Sequence, residues 1–161
     1  SFSDEQRHNL VRDKFQVVLA MQKYAQFADP SKGNNAHMLA AAEAMLAAFG
    51  PWLRIAFIEE EDGPKGRRFF SSLIDATCPL VQQPGKLPSR KPRLRVELPG
   101  FPILGHGKSD NQNCAIIYTR GEVLQMIDCN QEAYFEASLF LPSALQEFSR
   151  ELGGRRPGIL G

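Results

Sequence analysis

The order of polar and apolar residues at the start of the chain predicts a helix followed by a strand. Residues 3–13 are polar, with Ser3 as a helix N-cap and Gln6 completing a capping box. Residues 15–22 (FQVVLAMQ) form an apolar run rich in Val and Phe, which predicts a buried strand. A helix that continues from residue 3 through this run is the alternative.

An alanine-rich helix and a hairpin follow. Residues 35–49 have high helix propensity, and Gly50 with the next proline ends the predicted helix. Residues 52–60 and 68–76 are apolar and aromatic, which predicts two paired strands around a turn at 61–66. Strands separated by helices indicate an α/β sheet with an added β-hairpin.

The middle of the chain alternates loops with one clear strand. Residues 79–92 carry four prolines and several basic residues, which is typical of a solvated loop. Residues 93–98 (RLRVEL) alternate charged and apolar side chains, as a strand with one buried face does. Residues 99–113 are rich in Gly, Pro, Asp and Asn, and residues 114–120 fit either a helix or a strand.

The last third predicts a short strand and a long helix. Residues 123–127 form an apolar strand that ends at Asp128. A helix is expected from about 131 to 152, strained in its middle by Pro142.

Composition limits the classes of function. With 161 residues, of which 43% are hydrophobic, the chain is expected to form a single domain, 1–161. The 19 basic and 18 acidic residues nearly cancel, so nothing global indicates nucleic acid or an anionic membrane surface. No apolar run approaches the roughly 20 residues that a membrane span requires.

Residues 105–113 (GHGKSDNQN) are the densest polar segment. Two glycines allow a backbone to approach an anion closely, and Lys108 follows them directly. An ATP-type phosphate loop requires a glycine six residues before the lysine, where this chain has Pro102. The residues alone favour a Gly/Asn turn with a helix cap.

A second polar segment follows the predicted strand at 123–127. Asp128 and Asn130 would lie at the carboxyl edge of the sheet, where ligands bind in open α/β folds. Carboxylate and amide oxygens suit Mg²⁺ or Mn²⁺, which could clamp a diphosphate. The simpler alternative is that Asp128 caps the following helix.

Taken together, the two segments resemble a known enzyme family. A lysine–asparagine segment followed by a strand and Asp-x-Asn is similar to the order in nucleotide-sugar glycosyltransferases of the GT-A type. More specifically, LPGFPILGHGKSDNQNCAIIYTRGEVLQMIDCNQEAYF resembles the pattern of 1,3-β-glucan (callose) synthases. The upstream KFQVVLAMQKYA and LRIAFIEE, and the closing GRRPGILG, also resemble that family.

The resemblance implies a fold and an activity. The fold would be a GT-A-like (Rossmann-like) mixed sheet with flanking helices and an added hairpin, forming part of the family's glycosyltransferase domain. The family transfers glucose from UDP-glucose, with inversion, to a growing 1,3-β-glucan chain at the membrane. The chain would then be an internal piece of a multispanning synthase, on the cytoplasmic face of the plasma membrane and inactive alone. Its partners would be the glucan chain, the remainder of the synthase and its regulatory subunits.

The resemblance also implies site residues by position. Lys108 and Asp128 would be the catalytic residues, with Asp128 as the ligand of Mg²⁺ or Mn²⁺. The donor-binding residues would be Lys108, Asn111, Asn113, Arg120, Glu122 and Asn130, although Arg120 and Glu122 could equally form an ion pair. If the end of the first strand lines the pocket, Tyr24 could stack on the uracil.

Several positions depart from the family pattern. Cys114 replaces a histidine, Glu132 an aspartate, and His106 an acidic residue, while Pro142 interrupts a segment that the family keeps continuous. The positions matched to the family include no base for the acceptor hydroxyl, which an inverting transfer requires. The alternative is therefore a degenerate, non-catalytic module that serves regulation or assembly.

Overall fold

The computed structural model describes four stretches of the chain, residues 2–102, 107–128, 135–151 and 155–159. The chain divides into two units, Ser1–Val123 and Leu124–Gly161. Each unit is described separately below. No helix in the described stretches is long and apolar enough to cross a membrane.

The described residues of the first unit form four α-helices and six strands. The helices are α1 Asp4–Lys14, α2 Tyr24–Phe27, α3 Ala36–Phe49 and α4 Lys108–Ile116, with 3₁₀ turns at Pro30–Lys32 and Gly50–Trp52. The strands are β1 Val17–Ala20, β2 Leu53–Gly63, β3 Gly66–Asp75, β4 Leu80–Val81, β5 Ser89–Arg90 and β6 Leu94–Leu98.

Four of these strands form one mixed sheet in the order β1-β2-β3-β6. Strands β1 and β2 are parallel, with Val17 opposite Leu53 and Ala20 opposite Ala56, and α3 lies in the connection between them. Strands β3 and β6 continue the sheet in antiparallel pairing. The small pair β4-β5 lies within the proline-rich loop that precedes β6.

Helices cover both faces of the sheet because side chains alternate along the central strands. Ile55 and Phe57 belong to the larger core, which includes Leu39 and Leu46 of α3. Ala56, one position out of phase, belongs to a second cluster with Leu73, Ala115 and Tyr118 from β3 and the region of α4. The sheet therefore lies between α2 and α3 on one face and α4 on the other.

Most of the predicted elements in this unit are confirmed. Helix α1 begins with the expected capping box, in which the Ser3 hydroxyl accepts from the Gln6 amide and the Gln6 side chain accepts from the Ser3 amide. The alternative of one continuous helix is wrong, because residues 17–20 form a strand. The hairpin turn is shorter than expected: pairing continues to Gly63 and Gly66, so only Pro64 and Lys65 connect the strands.

The segment after β6 differs from expectation. Residues 108–113, expected in a Gly- and Asn-rich loop, are helical, and the open question about 114–120 is resolved as helix up to Ile116 followed by a turn. The predicted strand at 123–127 is wrong, since residues 123–128 have no regular secondary structure. Val123, Leu124, Met126 and Ile127 are exposed, so no packing against a described neighbour holds them extended.

The second unit contains a 3₁₀ helix, Phe135–Phe140, and helix α5, Leu141–Ser149. The predicted continuous helix strained by Pro142 is wrong. Pro142 lies in the first turn of α5, where no intrahelical partner exists for the missing N–H. Both units together form mixed α/β structure, while the GT-A fold and the single domain 1–161 stay predictions.

Candidate functional site

The clearest candidate site is the start of α4. Gly107 has φ 83°, a left-handed conformation that glycine adopts without strain, and Lys108 is the first helical residue. Because Gly107 has no side chain, it cannot cap the helix. The first backbone N–H groups of α4 are therefore suited to an anion, which the helix dipole also favours.

Asn111 fixes the place of α4 relative to the sheet. Its side chain is buried, and Nδ2 donates a hydrogen bond to the carbonyl oxygen of Ala20 at 3.0 Å. Ala20 is the last residue of β1, so α4 begins beside the carboxyl end of a strand in the parallel pair. This is the edge at which open α/β sheets bind ligands.

The other predicted donor residues of α4 have different surroundings. Lys108 lies three positions before Asn111, so the two residues share one side of the helix. Asn113 is exposed to solvent. The structure therefore places Lys108 and Asn111 in the first turn of α4, near the carboxyl end of β1, and leaves Asn113 exposed on a different side of the helix.

Hydrogen bonds attach the rest of α4 to β3. The Ser71 hydroxyl donates to the Cys114 carbonyl at 2.8 Å, and the Tyr118 hydroxyl donates to the Ser71 carbonyl at 2.5 Å. Burial raises the pKa of the Cys114 thiol and also that of the Tyr118 hydroxyl. Both groups are thus kept neutral near pH 7, and Cys114 contacts β3 through its backbone carbonyl.

Arg120 and Glu122 lie beyond the other end of α4. The Arg120 guanidinium donates from Nη2 to the carbonyl of Arg12, at the end of α1, at 3.0 Å. Among the described residues it forms no ion pair with Glu122, so that alternative is wrong. Glu122 is exposed. Arg120 is directed to α1 rather than to the start of α4, which separates it from Lys108.

The Asp128 segment belongs to the second unit. Asp128 is half-buried and has an interaction partner, and Asn130 and Glu132 lie outside the described residues. Within the described stretches, no three His, Cys, Asp or Glu side chains form a group suited to a metal ion. The metal assignment of Asp128 therefore rests on the sequence and stays a prediction.

A wide groove of about 450 Å³ borders the carboxyl end of β1. Its lining includes acidic residues of β2 and lysines from the loops: Glu59, Glu60, Glu61, Asp62, Lys32, Lys86 and Lys91. Sequence analysis did not identify this groove, because its walls come from segments far apart in the chain. In the sequence, the groove was indicated only by the basic residues of the segment 79–92.

Tyr24 lies at this groove, but its ring is only 1% exposed. The ring packs on Phe57 with centroids 4.8 Å apart, and its hydroxyl lies 3.3 Å from Glu43. Burial, with the Glu43 carboxylate adding to it, raises the pKa of Tyr24 to about 12. The ring faces are covered by the core, so the expected stacking on a uracil is not available in this structure.

Arg90 anchors the proline-rich loop above Tyr24. Its guanidinium pairs with Glu43 at 2.7 Å and donates to the carbonyl oxygens of Ala76 and Cys78 at 2.7 and 2.8 Å. The Arg90 backbone amide also donates to the Tyr24 hydroxyl at 3.4 Å. The loop that was predicted to be merely solvated is thus held against the core on one side of the groove.

Comparison with known proteins decides the family. The pattern described as "1,3-beta-glucan synthase component" matches residues 1–157. The chain belongs to this family. It is 41% identical over 150 residues to the 1,3-beta-glucan synthase component bgs1 of Schizosaccharomyces pombe, covering 91% of this chain. It is 40% identical over 148 residues to the 1,3-beta-glucan synthase component FKS1 of Aspergillus niger, covering 90%.

The family extends to plants. Callose synthase 9 of Arabidopsis thaliana is 38% identical over 152 residues, covering 92% of this chain. The aligned region is 8% of the first fungal relative and 7% of the other two proteins. The resemblance to glucan synthases is therefore confirmed, and the chain corresponds to a small part of such a synthase.

Proposed function

We propose that this chain holds the UDP-glucose donor of a 1,3-β-glucan synthase, which transfers glucose with inversion to a growing glucan chain. The observation that carries the proposal is the start of α4, where Lys108 and the first backbone amides of the helix lie beside the carboxyl end of β1. The diphosphate of a nucleotide sugar is the part of the donor that such a helix start suits.

The division of roles follows from side-chain chemistry. Lys108 would neutralise charge on the diphosphate as a point donor, and Asn111 would keep α4 at the strand end. Asn113, exposed on the same helix, is available for a donor hydroxyl, while Arg120 acts elsewhere. By the family pattern, Asp128 and Asn130 would hold the ribose, the sugar or a cation.

Mg²⁺ or Mn²⁺ is the cofactor that this arrangement would use. Mg²⁺ is often held by only one or two carboxylates together with substrate phosphates, so Asp128 alone is a sufficient protein ligand for that mode. When bound, the ion would offset the charge of the leaving diphosphate. The acceptor glucan, the rest of the synthase and its regulatory subunits would meet the donor at the cytoplasmic face of the plasma membrane.

The test is calorimetric titration of this chain with UDP and UDP-glucose, with and without Mg²⁺. We expect saturable binding that Lys108→Ala and Asp128→Ala each weaken by about tenfold, since each removes one charged contact. Lys65→Ala, in the exposed hairpin turn, is the matched control and should bind normally. Equal weakening by the control would show that general charge, not the α4 site, governs binding.

A degenerate module for regulation or assembly is the second candidate. It is favoured by the structural use of two predicted donor residues: Asn111 holds β1, and Arg120 holds α1. No saturable binding at millimolar UDP, in a chain with a cooperative unfolding transition, would support this candidate over donor binding.

A further inference from the structure

A second cavity, of about 270 Å³, lies at the opposite edge of the sheet. We define it as the arginine pocket, lined by Arg12, Asp13, Gln16, Trp52, Arg54 and Arg120. Gln16 directly precedes β1 and Trp52 directly precedes β2, so the pocket lies at the amino ends of the parallel pair.

The arginine pocket is separate from the start of α4. That helix begins beside Ala20, at the carboxyl end of β1, whereas the pocket borders the residue before Val17. Four strand residues span roughly 13 Å at about 3.3 Å per residue. A ligand held by Lys108 and the α4 amides therefore does not occupy the pocket.

The pocket carries an excess of positive charge. Three guanidiniums face one carboxylate, that of Asp13, and none of the three forms a salt bridge with a described residue. Arg12 donates to Asn9 at 3.0 Å and Arg120 donates to a backbone carbonyl, so with the described residues each uses little of its capacity of five N–H donors. Several charged donors are available to a ligand.

Gln16, one of the residues that line the pocket, has a side-chain acceptor without a donor among the described residues. Gln16 donates from Nε2 to the Tyr118 carbonyl at 3.3 Å, but its Oε1 atom is buried and has no hydrogen-bond partner among the described residues. A buried acceptor left in this state destabilises the protein, and it would be satisfied by an N–H donor rather than by an anion. The case for an anionic ligand therefore rests on the guanidiniums that line the pocket.

We propose that the arginine pocket binds a phosphate group. A phosphate monoester carries roughly −1.5 to −2 charges at pH 7, which matches three guanidiniums offset by one carboxylate. The planar guanidinium fork donates two parallel hydrogen bonds to phosphate oxygens, which the ammonium of lysine cannot do. The group could come from a soluble phosphate or from a phospholipid headgroup, and both present the same oxygens.

The test uses Trp52, the only tryptophan of the chain, as a fluorescent reporter at the pocket wall. Inorganic phosphate is titrated into the chain at constant ionic strength, with chloride as the replaced anion. We expect a saturable change that Arg54→Gln and Arg12→Gln each weaken by about tenfold, since each removes a charge-assisted pair of bonds. Arg156→Gln, an exposed arginine of the second unit, and Lys108→Ala should leave the titration unchanged.

Arg54→Lys is the control for misfolding, because it keeps the positive charge but lacks the planar guanidinium that donates two parallel hydrogen bonds. It should retain the urea midpoint of the parent chain while binding phosphate more weakly. A second arm sediments the chain with phosphatidylcholine vesicles that do or do not contain phosphatidic acid. Arg54-dependent binding to the acidic vesicles would identify a lipid headgroup as the source, and binding of inorganic phosphate alone would identify a soluble one. A non-saturable response, or equal weakening by Arg156→Gln, would overturn the proposal.

Discussion

The side-chain amide of Asn111 donates a hydrogen bond to the backbone carbonyl of Ala20 at 3.0 Å, across 91 positions of sequence. This bond joins the first turn of α4 to the last residue of β1. The bond fixes the start of α4, and with it the backbone of Lys108, against the sheet. Asn111, which the family pattern assigns to the donor, therefore also has a structural role.

Removal of this bond should destabilise the first unit. We expect Asn111→Ala to lower the free energy of unfolding by about 1–2 kcal/mol, because the Ala20 carbonyl loses a buried donor. Asn113→Ala is the matched control on the same helix; its side chain is exposed, and the change should stay within about 0.5 kcal/mol. Urea unfolding followed by circular dichroism measures both. Similar losses in the two variants would contradict a specific role for the bond.

The Arg90–Glu43 ion pair should contribute far more to folding stability than an exposed ion pair does. Arg90→Lys keeps a positive charge but cannot reach Glu43, Ala76 and Cys78 together, so we expect a loss of about 2–3 kcal/mol. Arg67→Lys is the control, because Arg67 and Glu60 form an exposed pair across the hairpin. Its effect should be below about 0.5 kcal/mol in the same urea experiment. A small effect at Arg90 would mean that the loop at 79–92 is held by other contacts.

Asp75 should make the free energy of unfolding depend on pH in the acidic range. Burial alone would raise the pKa of Asp75, but hydrogen bonds from Thr77 and the ion pair with Arg93 outweigh it and lower the pKa to about 2. The folded value lies below the unfolded one of about 3.9, so the stabilisation is complete above pH 4 and is lost as the pH falls towards 2.

The measurement is the urea midpoint between pH 5 and pH 2 for the parent chain and for Asp75→Asn. We expect the parent to lose about 1–2 kcal/mol more than the variant over this range, since the variant has no carboxylate to protonate. Asp62→Asn, in the exposed wall of the hairpin, should follow the parent curve. Parallel curves for the parent and Asp75→Asn would exclude the proposed linkage.

Tyr24 should titrate abnormally at high pH. Its pKa of about 12, raised by burial, lies above the ordinary value near 10. Folding stability from the neutral phenol is therefore present below pH 10 and is lost as the pH rises towards 12. In tyrosine-labelled NMR spectra, the ring-carbon signal assigned to Tyr24 by its loss in Tyr24→Phe should stay unshifted at pH 10.5. A normal titration would show that the ring reaches solvent, and stacking on a nucleotide base would become available again.

Sequence patterns determined the local elements and the family of this protein. The capping box of Ser3, the alanine-rich α3 and the extended backbone of β6 all depend on neighbours within a few residues, and so they could be read directly. The buried face expected of β6 is wrong, because Leu94 and Val96 are 51% and 46% exposed. The strand predicted at 123–127 is wrong because an apolar run forms a strand only when another strand or a core packs against it, and the local pattern does not show that packing. Family membership was also readable, since it depends on residue identities at fixed spacing.

Only the tertiary structure decided which predicted residues meet. Asn111 and Ala20, Arg120 and Arg12, and Arg90 and Glu43 are joined by hydrogen bonds between segments 47 to 108 positions apart. Such contacts depend on how the sheet twists and where helices cross it, which no local pattern encodes. For this reason the sequence grouped Arg120 with Lys108 as donor residues, whereas packing places Arg120 in the arginine pocket at the opposite edge of the sheet.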